Sequence, residues 1–252
     1  MLDSTALDAL RRRIERLQRR EGRARLPSIP FGIAAIDARL PEGGLARGAL
    51  HEVAGAGPDL EHGTAAALLL AGRLARLRGT VLWVVERRDL FAPALAGAGL
   101  HPDRVLLVEA GKSDAVLLVM EEGLRHRGLA GVVGEVSGRM PLTVTRRLQL
   151  AAEGSGVIAC ALRRSRRAED LATPSAAVTR WRVGALPSAP PIPARPDVPG
   201  LGRARWQLDL LRCRGGEPHS WIVEACDAQG RLSLPADLAD RPAAAEPRRA
   251  AS

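Results

Sequence analysis

The chain has 252 residues, 46% of them apolar, with 37 basic and 28 acidic side chains for a formal net charge of +9, enough for one sizeable α/β domain with appendages or two small ones. Cys160, Cys213 and Cys226 are odd in number and widely spaced; with no C-x-x-C pair they exclude a disulfide framework or common zinc site and suit a reducing cytosol. The charge favours acidic partners, nucleic acid first, although Lys112 is the only lysine and an arginine bias of the kind GC-rich coding produces carries part of the basicity without function.

Residues 3–21 are expected to form a helix, with Leu7, Leu10, Ile14 and Leu17 at gaps of three, four and three. Its remaining surface is basic and includes Arg11, Arg12, Arg16 and Arg19. Two heptads are too few for a stable lone coiled coil, so the stripe must dock on something. Two readings stand: a helix packed on its own domain with a solvated outer face, or an arm for a partner or DNA. The first 25 residues lack the apolar core of a signal peptide. The longest apolar stretches, around 65–71 and 157–162, are too short to cross a bilayer. A cytoplasmic protein with no membrane association is the expectation.

From residue 50 to 163 the pattern alternates. Apolar runs at 50–53, 80–85, 105–108, 130–136 and 157–162 are expected as buried strands, and stretches at 65–77, 91–100, 115–125 and 143–152 as helices. Unbroken apolar runs indicate strands covered on both faces, and alternation of the two element types implies a mostly parallel sheet. A strand is expected at 177–183, a proline-rich connector at 185–202, and a hairpin from runs at 204–213 and 220–226 around Gly215-Gly216. The expected division is therefore 1–26 basic helix, 27–184 α/β core, 185–202 connector, 203–234 hairpin completing the core, and 235–252 disordered tail.

Between the first strand and the first core helix lies Gly55-Ala-Gly57, then His62-Gly63-Thr64. A strand running through glycines into a helix N-terminus is the layout of a phosphate cradle. A working cradle of the G-x4-G-K-[ST] kind needs a lysine. Counting from Gly57, the sixth position is His62, the seventh Gly63 and the eighth Thr64, and no Arg or Lys lies between Gly48 and Gly72. Gly111-Lys112-Ser113 also reads G-K-S, but position 106 is leucine where the leading glycine belongs, so a helix start capped near Ser113 or Asp114 is the better reading. The five histidines have no metal spacing, and Ser137, Ser155 and Ser165 lack a nucleophile-elbow context.

The segments Phe31-Gly-Ile-Ala-Ala-Ile-Asp37 and Leu40-Pro-Glu-Gly-Gly-Leu through Gly55 resemble the entry of RecA-type ATPases. Together with Leu107-Val-Glu-Ala, Val132-Val-Gly-Glu-Val136, Arg146-Arg-Leu-Gln-Leu-Ala-Ala152, Thr179-Arg-Trp-Arg182 and Arg212-Cys-Arg-Gly-Gly with Ser220-Trp-Ile-Val-Glu224, they are most similar to the ImuA family, RecA-like accessory proteins of bacterial mutagenic translesion synthesis. The resemblance covers roughly residues 27 to 230. It implies a RecA-like core in which Glu86 stands where the water-activating glutamate belongs and Glu135 where a Walker-B aspartate would serve Mg²⁺. The bland reading is that acids at strand ends are simply where such sheets meet solvent. Without the lysine, phosphoryl transfer lacks charge neutralisation, so Gly55, Gly57, Gly63, Thr64, Glu86 and Glu135 read as a vestigial nucleotide site. No cofactor is expected; weak ATP binding without turnover lies between vestige and enzyme.

Recombinases carry a DNA-binding loop after the last parallel strand, and here that loop holds Arg163, Arg164, Arg166 and Arg167, enough for several phosphate contacts. The resemblance further implies a Y-family-like polymerase homologue and an error-prone replicative-type polymerase as partners, with the RecA filament and single-stranded DNA as additional candidates, in an SOS-type damage response. The competing readings are a RecA-like ATPase with an atypical loop and a SulA-like cell-division inhibitor.

Overall fold

The computed structural model describes residues 27–57, 62–164, 172–192, 195 and 197–235. Its strands are β1 (Leu50–Gly55), β2 (Thr80–Val85), β3 (Val105–Glu109), β4 (Leu129–Val136), β5 (Ile158–Arg163), β6 (Thr179–Leu186), β7 (Arg205–Cys213) and β8 (His219–Glu224). The helices are α1 (Ala34–Asp37), α2 (Thr64–Ala75), α3 (Ala92–Gly97), α4 (Ser113–Leu124) and α5 (Leu142–Ser155). All eight strands form one sheet in the order β3-β2-β4-β5-β1-β6-β7-β8. The first six pair in parallel, while β7 and β8 add to β6 as an antiparallel hairpin.

The apolar runs bury both faces of this sheet because side chains alternate along a strand. In β2, Val81, Trp83 and Val85 enter one core, while Leu82 and Val84 enter the other. The first core is closed by Ala66, Leu69, Leu70 and Leu74 of α2 and by Ile29, Phe31 and Ile36 of the entry segment. The second is closed by Val116, Leu117 and Met120 of α4 and by Leu148 and Ala152 of α5. Close approach of α4 to the sheet depends on Gly134, where a Cβ would fall 2.1 Å from Met120 Sδ. The result is the expected α/β architecture, a mostly parallel sheet covered on both faces with a hairpin at one edge.

The entry segment owes its shape to Asp37, whose carboxylate accepts the N–H groups of Phe31 (2.7 Å) and Gly32 (2.9 Å). Phe31 then stacks at 4.9 Å from Trp181, itself 6.2 Å from Trp221. Arg73 is 1% exposed. It donates to the carbonyls of Pro30 (3.0 Å), Phe31 (2.9 Å) and Gly230, which ties the entry to the turn after β8.

Element ends differ from expectation where local chemistry intervenes. Helix α3 is shorter than the expected 91–100 because Gly99, at φ +92°, takes the chain out of helical geometry. β6 runs on to Leu186 because Ala185 and Leu186 pair with Trp206 and Arg205 of β7. The connector therefore starts at Pro187, which has no N–H to offer a ladder. β8 stops at Glu224 because Asp227 accepts the N–H groups of Gln229 and Arg231 and turns the chain. The basic helix expected at 1–26 and the tail after 235 lie outside the described residues. No described helix is long and apolar enough to cross a membrane.

Candidate functional site

The carboxyl ends of the parallel strands lie side by side in the order β3, β2, β4, β5, β1, and these ends are where open α/β sheets bind ligands. Glu86 directly follows β2, Glu135 is the penultimate residue of β4, and Gly55 ends β1. One strand, β5, separates β1 from β4, so the glycine loop and Glu135 stand about two strand spacings, roughly 10 Å, apart. Arg163 ends β5 and Arg164 follows it, in the gap between them.

At the cradle, His62 and Gly63 form a short π-type turn that leads into α2, and Thr64 is the first, exposed residue of the helix. The His62 ring lies against Gly57: a Cβ there would fall 2.5 Å from His62 Cδ2. β1 ends before β6 does, and the N–H of Ala185 extends past it. His62 Nδ1 accepts that N–H at 2.9 Å. The imidazole thus caps a sheet edge and covers a glycine whose bareness a phosphate cradle would use.

Glu135 is 3% exposed. Trp83 Nε1 donates to its Oε1 at 2.8 Å, and Arg164 Nη1 donates to its Oε2 at 2.7 Å. The same Arg164 nitrogen reaches Asp89 at 3.1 Å. Burial pushes the Glu135 carboxyl above its ordinary range, against the hydrogen bonds and positive charge that favour its ionised form. Both oxygens of this carboxylate are engaged by protein donors.

Glu86 has different company. Its Oε1 accepts the Ser113 hydroxyl and the Ser137 N–H (2.9 Å), and the Ser113 hydroxyl also lies 2.9 Å from the Ser137 carbonyl. Partial burial works to raise its pKa, but the hydrogen bonds from Ser113 and Ser137, with the Arg87 charge, hold it below the usual carboxylate range. Helix α4 begins at Ser113, two residues before the expected stretch at 115–125, and the cap expected near Ser113 or Asp114 is not made: Lys112 occupies the N-cap and its side chain makes no capping bond. The Ser113 hydroxyl is turned to Glu86 instead.

Arg163 and Arg164 point to opposite faces, as successive strand residues do. The Arg163 side chain is 1% exposed and lies in the second core, 3.7 Å from Glu52 Oε2, with its Nη2 on the Gly138 carbonyl. Glu52, fully buried in β1, also accepts Arg180 Nε at 3.1 Å and the Ser175 hydroxyl. Arg163 is thus part of the protein interior and has no surface to offer phosphate, while Arg164 is 28% exposed and ion-paired. Of the other arginines expected to bind, Arg166, Arg167, Arg11, Arg12, Arg16 and Arg19 lie outside the described residues.

Sequence reasoning passed over Glu52, Asp89 and the His62 contact. Glu52 carried a signal: a charge in the middle of an otherwise apolar buried strand needs a partner. The pairing of Arg164 carried none, because its partners lie 29 and 75 residues away.

No family model matches the chain. It is 42% identical over 212 residues to "Protein ImuA" of Caulobacter vibrioides strain NA1000 / CB15N, covering 80% of this chain and 85% of the relative. The same values hold for the protein of that name from strain ATCC 19089 / CIP 103742 / CB 15. In fold it is similar to the RadB recombinase, with a TM-score of 0.54 and 17% identity over 82% of this chain and 99% of that one. The 42% identity to the two ImuA proteins across most of both chains, on a RecA-like sheet, shows that this chain belongs to the ImuA family.

Proposed function

We propose that this chain is a non-catalytic, RecA-like accessory protein of the SOS-type response to DNA damage, which supports error-prone translesion synthesis through contacts with proteins and DNA. The observation that carries the non-catalytic part is the Arg164 guanidinium on Glu135. It puts an internal cation on the carboxylate that would otherwise serve a magnesium ion. His62 against Gly57 and the missing lysine support the same reading. These contacts support a site that does not take a magnesium nucleotide. Family membership supports a cytoplasmic role beside a Y-family-like polymerase homologue and an error-prone replicative-type polymerase, with the RecA filament and single-stranded DNA as further contacts.

The test is ATP hydrolysis by the full chain, with and without single-stranded DNA. No appreciable turnover is expected, against the roughly one per second of a modest enzyme. Turnover on that scale, abolished by Glu86→Gln, would refute the reading. Gly63→Lys or Thr64→Lys alone should recover nothing, because His62 and Arg164 remain in place. Co-expression with the Y-family-like homologue should yield a complex; its absence would remove the partner arm.

A further inference from the structure

The Glu86 carboxylate and backbone join three loops that leave the adjacent strands β3, β2 and β4. The Gly111 N–H bonds its carbonyl at 3.0 Å, while Ser113 and Ser137 bond its side chain. Each stapled loop carries a basic residue next to or near the staple: Arg87 and Arg88 after β2, Lys112 after β3, and Arg139 after β4. All four are exposed, and none of their side chains is hydrogen-bonded or ion-paired among the described residues, Arg87 adding only its field to Glu86. Against these four cations the described part of the rim sets the partly buried Glu86 and the exposed Glu109 and Asp114, while Asp89 is paired with Arg164. Three strands at ordinary spacing place the cations along about 10 Å of sheet edge, a line suited to successive phosphates.

A second observation comes from the same loop. Phe91 is 70% exposed, in a chain with only two phenylalanines and no tyrosine. An exposed ring beside unpaired cations is the pairing that single-stranded nucleic acid uses, with its backbone on the charges and an unstacked base on the ring. We infer that the rim of Arg87, Arg88, Lys112 and Arg139, held together by Glu86, binds the phosphate backbone of single-stranded nucleic acid, with Phe91 as the base platform. This deepens the DNA-linked reading above and rests on it. It also moves the contact away from Arg163 and Arg164, whose charges are committed internally.

The experiment is fluorescence anisotropy of a labelled 20-nucleotide oligothymidylate with the full chain across a salt series. Each phosphate contact contributes about 0.7 to the slope of log affinity against log salt. The quadruple variant Arg87→Ala, Arg88→Ala, Lys112→Ala, Arg139→Ala should therefore flatten that slope by roughly three units. Phe91→Ala should weaken binding on the order of 5- to 100-fold, with the slope intact and duplex binding unaffected. Should the quadruple variant fold poorly, Lys112→Ala with Arg139→Ala should still remove about 1.4 units. An unchanged slope in a folded variant overturns the proposal, as does a wild-type chain that does not bind the oligonucleotide. Loss of a protein partner with DNA binding retained would make the rim a protein-docking surface and overturn it equally. Partner capture by the wild-type chain reports separately on the accessory reading: its failure beside the expected slope change would sink that reading and leave the rim standing.

Discussion

Replacing Glu52 with alanine probes a buried carboxylate that faces two arginines. The carboxylate has a 1% exposed side chain in β1 and stands between Arg163, 1% exposed, and Arg180, 11% exposed. It also accepts the Ser175 hydroxyl, and Arg180 in turn donates to the Thr173 carbonyl at 2.9 Å. Its removal takes from two buried guanidinium groups the buried carboxylate that faces both, and breaking a buried pair in this way costs about 3–5 kcal/mol. For a domain of this size each kcal/mol lowers the melting midpoint by about 2–4 °C, so Glu52→Ala should lower it by roughly 6–20 °C. Urea denaturation followed by circular dichroism gives the free energy directly. Arg180→Ala in the Glu52→Ala background should cost less than in the wild type, because its pairing with Glu52 is already gone. Asp197→Asn, in the exposed pair with Arg195, serves as control and should leave the midpoint where it is. A Glu52→Ala protein that loses under 1 kcal/mol, or strict additivity with Arg180→Ala, would refute the account of a charge-coupled interior.

Two further outcomes follow from buried groups elsewhere. His51 is fully buried between Thr179 Oγ1 (2.7 Å) and the Ala46 carbonyl (2.9 Å), and burial lowers its pKa to about 4 despite the Ala46 hydrogen bond. The unfolded chain takes up that proton more readily, so this contribution is complete above pH 6.5 and is lost as pH falls towards 4, to a total of about 3 kcal/mol. Thermal melts across that range should show the decline, and a His51→Gln chain that declines by the same amount would assign it to other groups. Gly134→Ala should cost about 1–3 kcal/mol by overpacking, because its methyl would meet Met120 Sδ at 2.1 Å and Val116 Cγ1 at 3.0 Å. A second change, Met120→Ala, should relieve that clash, and a Gly134→Ala protein as stable as wild type in urea would show that α4 shifts freely.

The order of strands and helices was legible along the chain because it is local. Thr80–Val85 carries an unbroken apolar run from Val81 on, rich in β-branched residues and short enough for a strand covered on both faces, and it is β2 with those bounds. The missing lysine between Gly48 and Gly72 was equally plain, since a motif is a matter of spacing. The four arginines at the end of β5 and just beyond it, 163, 164, 166 and 167, were also visible, but where each would point was not. Alternation along the strand sends Arg163 to Glu52 and Arg164 to Glu135, and which acids wait on each side depends on the order β2-β4-β5-β1 in the sheet. The same holds for His62, whose acceptor role exists because β6 outruns β1, and for Glu86, whose three loops meet because β3, β2 and β4 are neighbours. Residue type and spacing determined what the chain could form. Strand order, a property of contacts between residues tens of positions apart, decided which charges cancel inside and which are left for a partner.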